Sequence, residues 1–239
     1  MEDDQDQGGN FWPAFTDLML SVILILLLVI GGAYFAAVNV REIQEKQKIL
    51  GEGLRGSTTE VRTIGNTMEI WGRGTGGTLK FRLSVDPHDP MLQRISFSDS
   101  VLFDPDSFVL KASGKLALAE VGTAVKKRLP DLAEIQIHGH ADTLRTARYV
   151  DNLELASLRA NEVFRFLRVS VGIDPARNLI SATSFGEYSP AERRRDANFD
   201  RTLLLSANTT EPKRAQNRRI ELLLFYRRSA EKADPKLKR

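Results

Sequence analysis

The stretch "FWPAFTDLMLSVILILLLVI", residues 11–30, is apolar except for a few polar positions and one carboxylate, Asp17, near its start. From Leu18 to Val38 the chain carries no charge, and a helix of about 21 residues spans about 30 Å, the thickness of a bilayer's hydrocarbon core. The stretch predicts a transmembrane helix over residues 11–38. A signal peptide would need a basic leader, whereas residues 1–10 read "MEDDQDQGGN" and form a short acidic tail.

The composition limits what accompanies this helix. With 239 residues, of which 42% are apolar, the chain has room for one anchor and one globular domain. The formal net charge of +3 is too small to indicate a nucleic-acid partner. The absence of cysteine excludes disulfides, thiolate metal sites and a lipoprotein anchor.

Residues 39–77, which follow the apolar run, are polar and glycine-containing and are predicted to be a linker. Within them Ile43, Leu50 and Leu54 recur at i, i+7 and i+11, which indicates one weakly amphipathic helix. That helix could pack on a partner, lie on the membrane surface or be solvated. At the other end of the chain, residues 229–239 are predicted to be a charged tail.

Residues 78–228 have the pattern of a mixed domain. Alternating strands are predicted in "TLKFRLSV" and "ISFSDSVLF", and helical spacing follows in "KASGKLALAEVGTAVKKRL". The remaining elements are a strand "EIQIHGHAD", a helix "NLELASLRANEVFRFLRVSV" and the strands "LISATSFGE" and "NRRIELLLFYRR". This order predicts an α/β domain, specifically an α+β sandwich with helices on one side of a mixed sheet.

Four motifs in this domain occur in a diagnostic order. They are "HGHAD" at 138–142, "NLELASLRA" at 152–160, "FGEYSP" at 185–190 and "AQNRRIEL" at 215–222. Together they resemble the OmpA-like peptidoglycan-binding family over about residues 93–228. The chain departs from that pattern in having Ala141 for Thr, Ala156 for Ser, a longer loop between Asp142 and Asn152, and an insert at 191–214.

The resemblance implies a ligand, the diamino acid of the peptidoglycan stem peptide. Its free end is zwitterionic, so a site needs one anion and one bidentate cation. Asp142 and Arg159 match those positions of the family, and Asn152 shares a helical face with Arg159. The alternative is that Asp142 and Arg159 form a structural ion pair.

The last strand and the two strand histidines complete the candidate residues. Asn217 is nominated for the peptidoglycan site, whereas Arg218 and Arg219 are expected to form scaffold salt bridges. His138 and His140 alternate on one strand, but the sequence shows no partner cluster at ligand spacing. We therefore predict no metal site.

The start of the apolar helix carries a second resemblance. "WPAFTDLM", residues 12–19, resembles the helix entry of the MotB family of ion-motor stator subunits, where the aspartate carries the coupling ion. The short leader and compact linker are closer to the ZorB branch, from Zorya antiphage systems, than to flagellar MotB. The resemblance implies that Asp17 translocates a proton or a sodium ion, beside a multi-span MotA/ZorA-like subunit and without a cofactor.

Two physical arguments bear on Asp17. An ionisable group costs about 2.5–3.5 kcal/mol at the centre of a membrane helix, and such groups are retained mainly on an ion path or in a protein cavity. Ser21 lies one turn further on the same face and could assist the ion. The alternative is an interfacial acid that reaches water beside Trp12. The small-residue pairs Gly32/Ala36 and Ala33/Ala37 are compatible with a dimer.

The charges around the helix disagree with the expected topology. Arg41, Lys46 and Lys48 follow the helix and the leader has no basic residue, so the positive-inside rule favours a cytoplasmic domain. These bases are few and lie among glutamates, and a peptidoglycan ligand exists only outside the inner membrane. We therefore expect a single-pass bacterial inner-membrane protein with a cytoplasmic N-terminus and a periplasmic domain.

These observations predict the peptidoglycan-anchored B subunit of an inner-membrane ion-driven motor, in dimeric form, and not an enzyme. The antiphage role of the ZorB branch is one possible output, and a flagellar-type MotB subunit is another. A passive tether from the inner membrane to the cell wall, in which Asp17 is incidental, is the alternative from a different class. A wall hydrolase is disfavoured because no catalytic constellation is evident in the sequence.

Overall fold

The computed structural model describes residues 11–54, 59–64, 67–73, 79–86, 89–193 and 198–227. The chain forms two compact units, one up to Glu42 and one from Ile43 onward. The predicted tails at 1–10 and 229–239 lie outside the described residues.

The first unit is the N-terminal part of a long helix, α1, which runs from Phe11 to Gly53. Its stretch Phe15–Phe35 has a mean hydropathy of 2.7 over 21 residues, none of it is buried, and it is long and apolar enough to cross a membrane. The predicted apolar helix is therefore confirmed. Asp17 and Ser21 are both exposed on this helix.

The last turns of α1 belong to the second unit. The helix does not end near residue 38 as predicted, and its Leu50 and Leu54 are buried in the domain core. Gln47 donates its side-chain amide to the carbonyl of Pro90 at 2.8 Å and accepts from Gln93 Nε2 at its own carbonyl, at 3.3 Å. The apolar spacing thus serves packing within the chain, which corrects the interpretation of this helix as a solvated linker or as a surface for a partner or membrane.

Within the described residues, seven strands form a single sheet in the order β1-β2-β3-β4-β7-β5-β6. They are β1 Thr59–Ile64, β2 Thr67–Arg73, β3 Leu79–Val85, β4 Leu92–Ser98, β5 Leu132–His140, β6 Leu179–Gly186 and β7 Arg219–Tyr226. All neighbouring pairs are antiparallel except β5 and β6, which are parallel. The predicted linker is thus wrong for β1 and β2, because both pair into this sheet.

Three helices cover one face of the sheet: α2 Asp99–Leu102, α3 Ala112–Arg128 and α4 Asn152–Phe166. Two further short helices, α5 Arg201–Ser206 and α6 Glu211–Asn217, lie in the insert and lead into β7. Alternate residues such as Ile135 and Ile137 on β5 and Leu222 and Leu224 on β7 are buried together with Leu118 of α3. Period-2 strands against amphipathic helices produce this core, so the predicted one-sided sandwich is confirmed.

Two local features position the ends of these elements. The predicted strand 95–103 is wrong beyond Ser98, because the chain turns there into the short helix α2 and places Asp99 at its start. At Gly139 a Cβ atom would lie 2.2 Å from the carbonyl oxygen of Ala156. Only glycine therefore allows α4 to approach β5 this closely, which brings the start of α4 beside the end of β5.

Candidate functional site

A cavity of about 480 Å³ opens where β5 ends, beside α2 and the first half of α4. The chain leaves β5 at His140 and enters the long loop that leads to Asn152, so this loop forms one wall. The lining residues are Asp99, Ser100, Phe103, Pro105, Asp106, Lys111, Ala141, Asp142, Leu144, Arg145, Thr146, Ala147, Asn152, Leu155, Arg159 and Arg218. Three of the four predicted peptidoglycan-binding residues, Asp142, Asn152 and Arg159, line this cavity.

Asp142 is the buried acid of the cavity, with 4% of its surface exposed. One carboxylate oxygen accepts the backbone N–H of Leu144 at 2.9 Å, and the other accepts from Arg218. These two donors fix the carboxylate at the end of β5, where it is one wall of the cavity.

Arg159 projects into the same cavity from the third turn of α4. Its Nη1 lies 3.1 Å from Asp99 Oδ1, and its Nε donates to the carbonyl of Ser107 at 2.8 Å. The guanidinium also lies over the ring of Phe103, 5.2 Å from the centroid. Arg159 is thus a buried, oriented cation whose charged partner is Asp99, not Asp142.

Asp99 was missed by the sequence analysis because its segment has the alternation of a strand. Burial raises the pKa of Asp99 to about 6, against the opposing charges of Arg159 and Arg218. Burial also lowers the pKa of Arg159, although Asp99 counteracts it. The signal that could have revealed Asp99 is the "SDS" turn directly after the apolar strand, a typical helix start.

Arg218 was expected to form a scaffold salt bridge, but it also lines the cavity. It donates to Asp142 and to Glu211, and its side chain is 28% exposed. Alternation along "NRRIEL" missed it, since β7 begins only at Arg219 and Arg218 is the residue that caps α6. Arg219 does form the predicted scaffold contacts, donating from Nε to Glu221 at 2.8 Å.

Asn152 joins the two sides of the cavity entrance. Its side-chain amide donates to the carbonyl of Asp142 at 3.0 Å and to Glu187 Oε2 at 2.7 Å. The preceding residue, Asp151, caps α4 by accepting the N–H of Glu154 at 2.8 Å. Asn152 therefore ties the long loop and the start of α4 to the end of β5.

Asn217, the fourth predicted residue, does not line this cavity. Its Oδ1 accepts from the N–H of Ala191, and its Nδ2 donates to the carbonyl of Ala207 and to Asn208, all between 2.8 and 2.9 Å. Only 2% of Asn217 is exposed. Its described contacts make it the clamp that attaches the 191–214 insert to the start of β7.

The insert and the long loop build a second cavity of about 790 Å³. It shares Arg145, Thr146 and Asn152 with the first cavity. Its outer wall carries Tyr188, which is 57% exposed, and Arg193, whose guanidinium lies 4.7 Å from the ring centroid of Phe199. The longer loop and the insert, two of the four departures from the family pattern, thus form this space beside the first cavity.

The first cavity can bind a ligand that carries both charges. Its lining includes the acids Asp99, Asp106 and Asp142 and the bases Lys111, Arg145, Arg159 and Arg218. An ammonium group can bind a carboxylate here, and a carboxylate can bind a guanidinium in bidentate form. Asp17 and Ser21 belong to the other unit.

His138 and His140 lie on the sheet face opposite the helices and line neither cavity. The sequence shows no partner cluster at ligand spacing, but the fold brings Glu221 of β7 beside the two histidines, so that the three could form a metal-ligand set.

The chain is similar to several known proteins. Residues 102–201 match the family model described as the OmpA family. Three relatives are similar in sequence: outer membrane protein A of Bordetella avium (33% identity; 56% of this chain, 58% of the relative), the Zorya protein ZorB of Escherichia coli O139:H28 (31%; 64% and 58%) and motility protein B of Bacillus subtilis (26%; 57% and 46%). The matches thus span about half the length of these relatives.

Among solved structures, a putative MotB-like protein from Desulfovibrio vulgaris has a similar fold, with a TM-score of 0.56 and 21% identity over 80% of this chain and 98% of that one. The chain therefore has an OmpA-like domain and is similar to MotB and ZorB, which confirms the resemblance seen in the motifs.

Proposed function

We propose that this chain, which has an OmpA-like domain and is similar to ZorB and motility protein B, is the B subunit of an ion-driven motor in the bacterial inner membrane. The observation that carries the proposal is the presence in one chain of an apolar, membrane-length helix with Asp17 at its start and a domain with a doubly charged cavity. Asp17 takes up and releases the coupling ion, a proton or a sodium ion, beside Ser21 and a multi-span MotA/ZorA-like partner.

The domain anchors the subunit to peptidoglycan. In this proposal the free ammonium of the stem-peptide diamino acid binds Asp142, and the adjacent carboxylate binds Arg159 and Arg218. Asn152 does not bind the ligand's charges in this proposal; it positions Asp142 by donating to its backbone carbonyl. The N-terminus is cytoplasmic and the domain periplasmic, because the ligand lies outside the inner membrane. Two copies of the chain sit at the centre of the complex.

The anchoring half of the proposal is tested with purified peptidoglycan. The variants Asp142→Ala and Arg159→Lys should each reduce co-sedimentation of the full chain, while circular dichroism remains that of the folded protein. Arg165→Ala is the matched control, because Arg165 lies on the same helix but is exposed, and the ion pair described for it is the local one with Glu162. Unchanged binding of both cavity variants would contradict the peptidoglycan site.

The motor half is tested by Asp17→Asn, which removes the charge but keeps the size of the side chain. The variant should reach normal abundance in the membrane, co-purify with its partner and still bind peptidoglycan, yet lose phage resistance or motility of the host. Asp17→Glu is the control that keeps a carboxylate, and it should retain some activity. Full activity of Asp17→Asn at normal abundance would leave a passive membrane-to-wall tether as the function.

A further inference from the structure

Three potential metal ligands converge on the sheet face opposite the helices. His138 and His140 project from β5 on the same side, and Glu221 is the β7 residue in register with His138. One nitrogen of each imidazole and one carboxylate oxygen all lie within 4.8 Å of one another. We propose that His138, His140 and Glu221 form a site for Zn²⁺, independent of the peptidoglycan cavity.

His140 is oriented as a metal ligand would be, with one ring nitrogen hydrogen-bonded and the other buried without a hydrogen-bond partner among the described residues. Its Nδ1 donates to the carbonyl of Ser189 at 3.1 Å, which leaves the lone pair on Nε2. That Nε2 atom is buried and has no hydrogen-bond partner in the described part of the protein, and only 3% of the residue is exposed. A buried lone pair without a partner is costly, and a metal ion would satisfy it.

The distance from His140 to Glu221 fits a shared metal. His140 Nε2 and Glu221 Oε2 are 3.6 Å apart, which is longer than a normal hydrogen bond. Two tetrahedral ligands with zinc bond lengths of about 2.0–2.2 Å are separated by about 3.4 Å. Small side-chain movements would therefore bring both atoms to bonding distance of one ion.

His138 is held in a tautomer that suits a ligand. Gln136 donates its amide to Glu134 at 2.8 Å, so its oxygen faces His138 Nε2 at 2.9 Å and accepts that N–H. The lone pair of His138 is then on Nδ1. Both imidazoles thus have one nitrogen bonded to an oxygen outside the ligand set, as metal-binding histidines usually do.

Glu221 supplies the negative charge of the set. Arg94 donates to its Oε2 and Arg219 Nε donates to its Oε1 at 2.8 Å, so the carboxylate is firmly oriented. The Arg94 charge is shared with Asp86, 3.3 Å away. Two neutral imidazoles and one carboxylate, with a fourth position open to water, are a common zinc ligand set. His138 is half-buried, and the exposed Phe185 stacks on His140. The ion would enter from this more exposed side.

The test is titration of the chelator-treated full chain in detergent with Zn²⁺, followed by calorimetry, and with Co²⁺, followed by visible absorption. We expect one Zn²⁺ per chain, a raised melting temperature, and a Co²⁺ spectrum of four-coordinate intensity. His138→Gln should weaken Zn²⁺ binding at least tenfold, because it removes one of the three ligands. The variant should remain folded, since His138 is only half-buried.

His88→Gln is the matched control, since it removes one of the chain's three histidines and leaves all three ligands in place. Arg94→Gln should tighten Zn²⁺ binding several-fold, because it removes a positive charge beside the ion. Peptidoglycan co-sedimentation should be unchanged in His138→Gln. The proposal is overturned if Zn²⁺ shows no saturable binding at one equivalent, if His138→Gln binds it as tightly as the native chain, or if Arg94→Gln leaves the affinity unchanged.

Discussion

Arg159 and Asp142 line the same cavity but do not pair with each other. Arg159 Nη1 lies 3.1 Å from Asp99, whereas Asp142 accepts a hydrogen bond from Arg218. The alternative of a structural Asp142–Arg159 ion pair is therefore wrong. The cavity therefore contains two separate ion pairs, Arg159–Asp99 and Arg218–Asp142. A zwitterionic ligand could bind an arginine with its carboxylate and an aspartate with its ammonium group.

The two neighbouring arginines of "NRRIEL" should behave differently. Arg218→Gln removes the cation that orients Asp142 and should weaken peptidoglycan co-sedimentation about tenfold, since a hydrogen bond to a charged group contributes about 1.5–3 kcal/mol. Arg219→Gln removes contacts to Glu221 and Ser189 outside the cavity, so it should lower the melting temperature and leave binding intact. Equal binding losses in both variants would indicate a general structural effect instead.

Asp99 should contribute more to the stability of the domain in mild acid than at neutral pH. Its pKa is raised from 3.8 in the unfolded chain to about 6 in the folded protein, so the folded state binds more protons between these values. The stabilisation is fully present below about pH 4 and is lost as the pH rises through about 6; by the pKa difference it is at most about 3 kcal/mol.

The measurement is the difference in unfolding free energy between the native chain and Asp99→Asn from pH 4 to pH 8. The native chain should lose stability relative to the variant as the pH rises, because asparagine cannot titrate. Other groups titrate in both proteins and cancel in the difference. A difference that does not change with pH would show that burial does not raise the Asp99 pKa.

Asn217 should contribute to stability and not to ligand binding. Asn217→Ala leaves the N–H of Ala191 and the buried carbonyl of Ala207 without their partner, which should cost about 1–3 kcal/mol. Asn161→Ala is the matched control, because Asn161 is exposed and the side-chain hydrogen bonds described for it go to Ser157, one turn before it on α4. Folded Asn217→Ala should still co-sediment with peptidoglycan; loss of binding at unchanged stability would return Asn217 to the ligand site.

The sequence predicted most elements of the domain because each has its own periodicity, and the ordered motifs placed Asp142, Asn152 and Arg159 together. Arg218 could not be placed, since its orientation depends on where α6 ends and β7 begins, a boundary that alternation alone does not determine. Asp99 was missed for a related reason. The alternation of apolar and polar residues continues past Ser98, where the strand ends, into the short helix α2. Only the packed structure shows where the strand stops.

The linker prediction failed for a different physical reason. The spacing of Leu50 and Leu54 indicated an amphipathic helix, but periodicity shows only that a face is apolar, not what covers it. That face packs on the domain's own core, beside Gln93 of β4. The following strands β1 and β2 are glycine-flanked and polar, so they resembled a connector until their pairing partners were known.

The end of α1 should therefore be part of the domain's stability. Leu50→Ala and Leu54→Ala each create a cavity in the core and should cost about 2–5 kcal/mol, because both side chains are almost fully buried. Ile49→Ala is the matched control, since Ile49 is 49% exposed and should cost far less. Thermal unfolding of the three variants measures this directly. A fragment that starts at residue 43 should likewise melt well above one that starts at residue 55; equal melting temperatures would show that the domain folds without the helix.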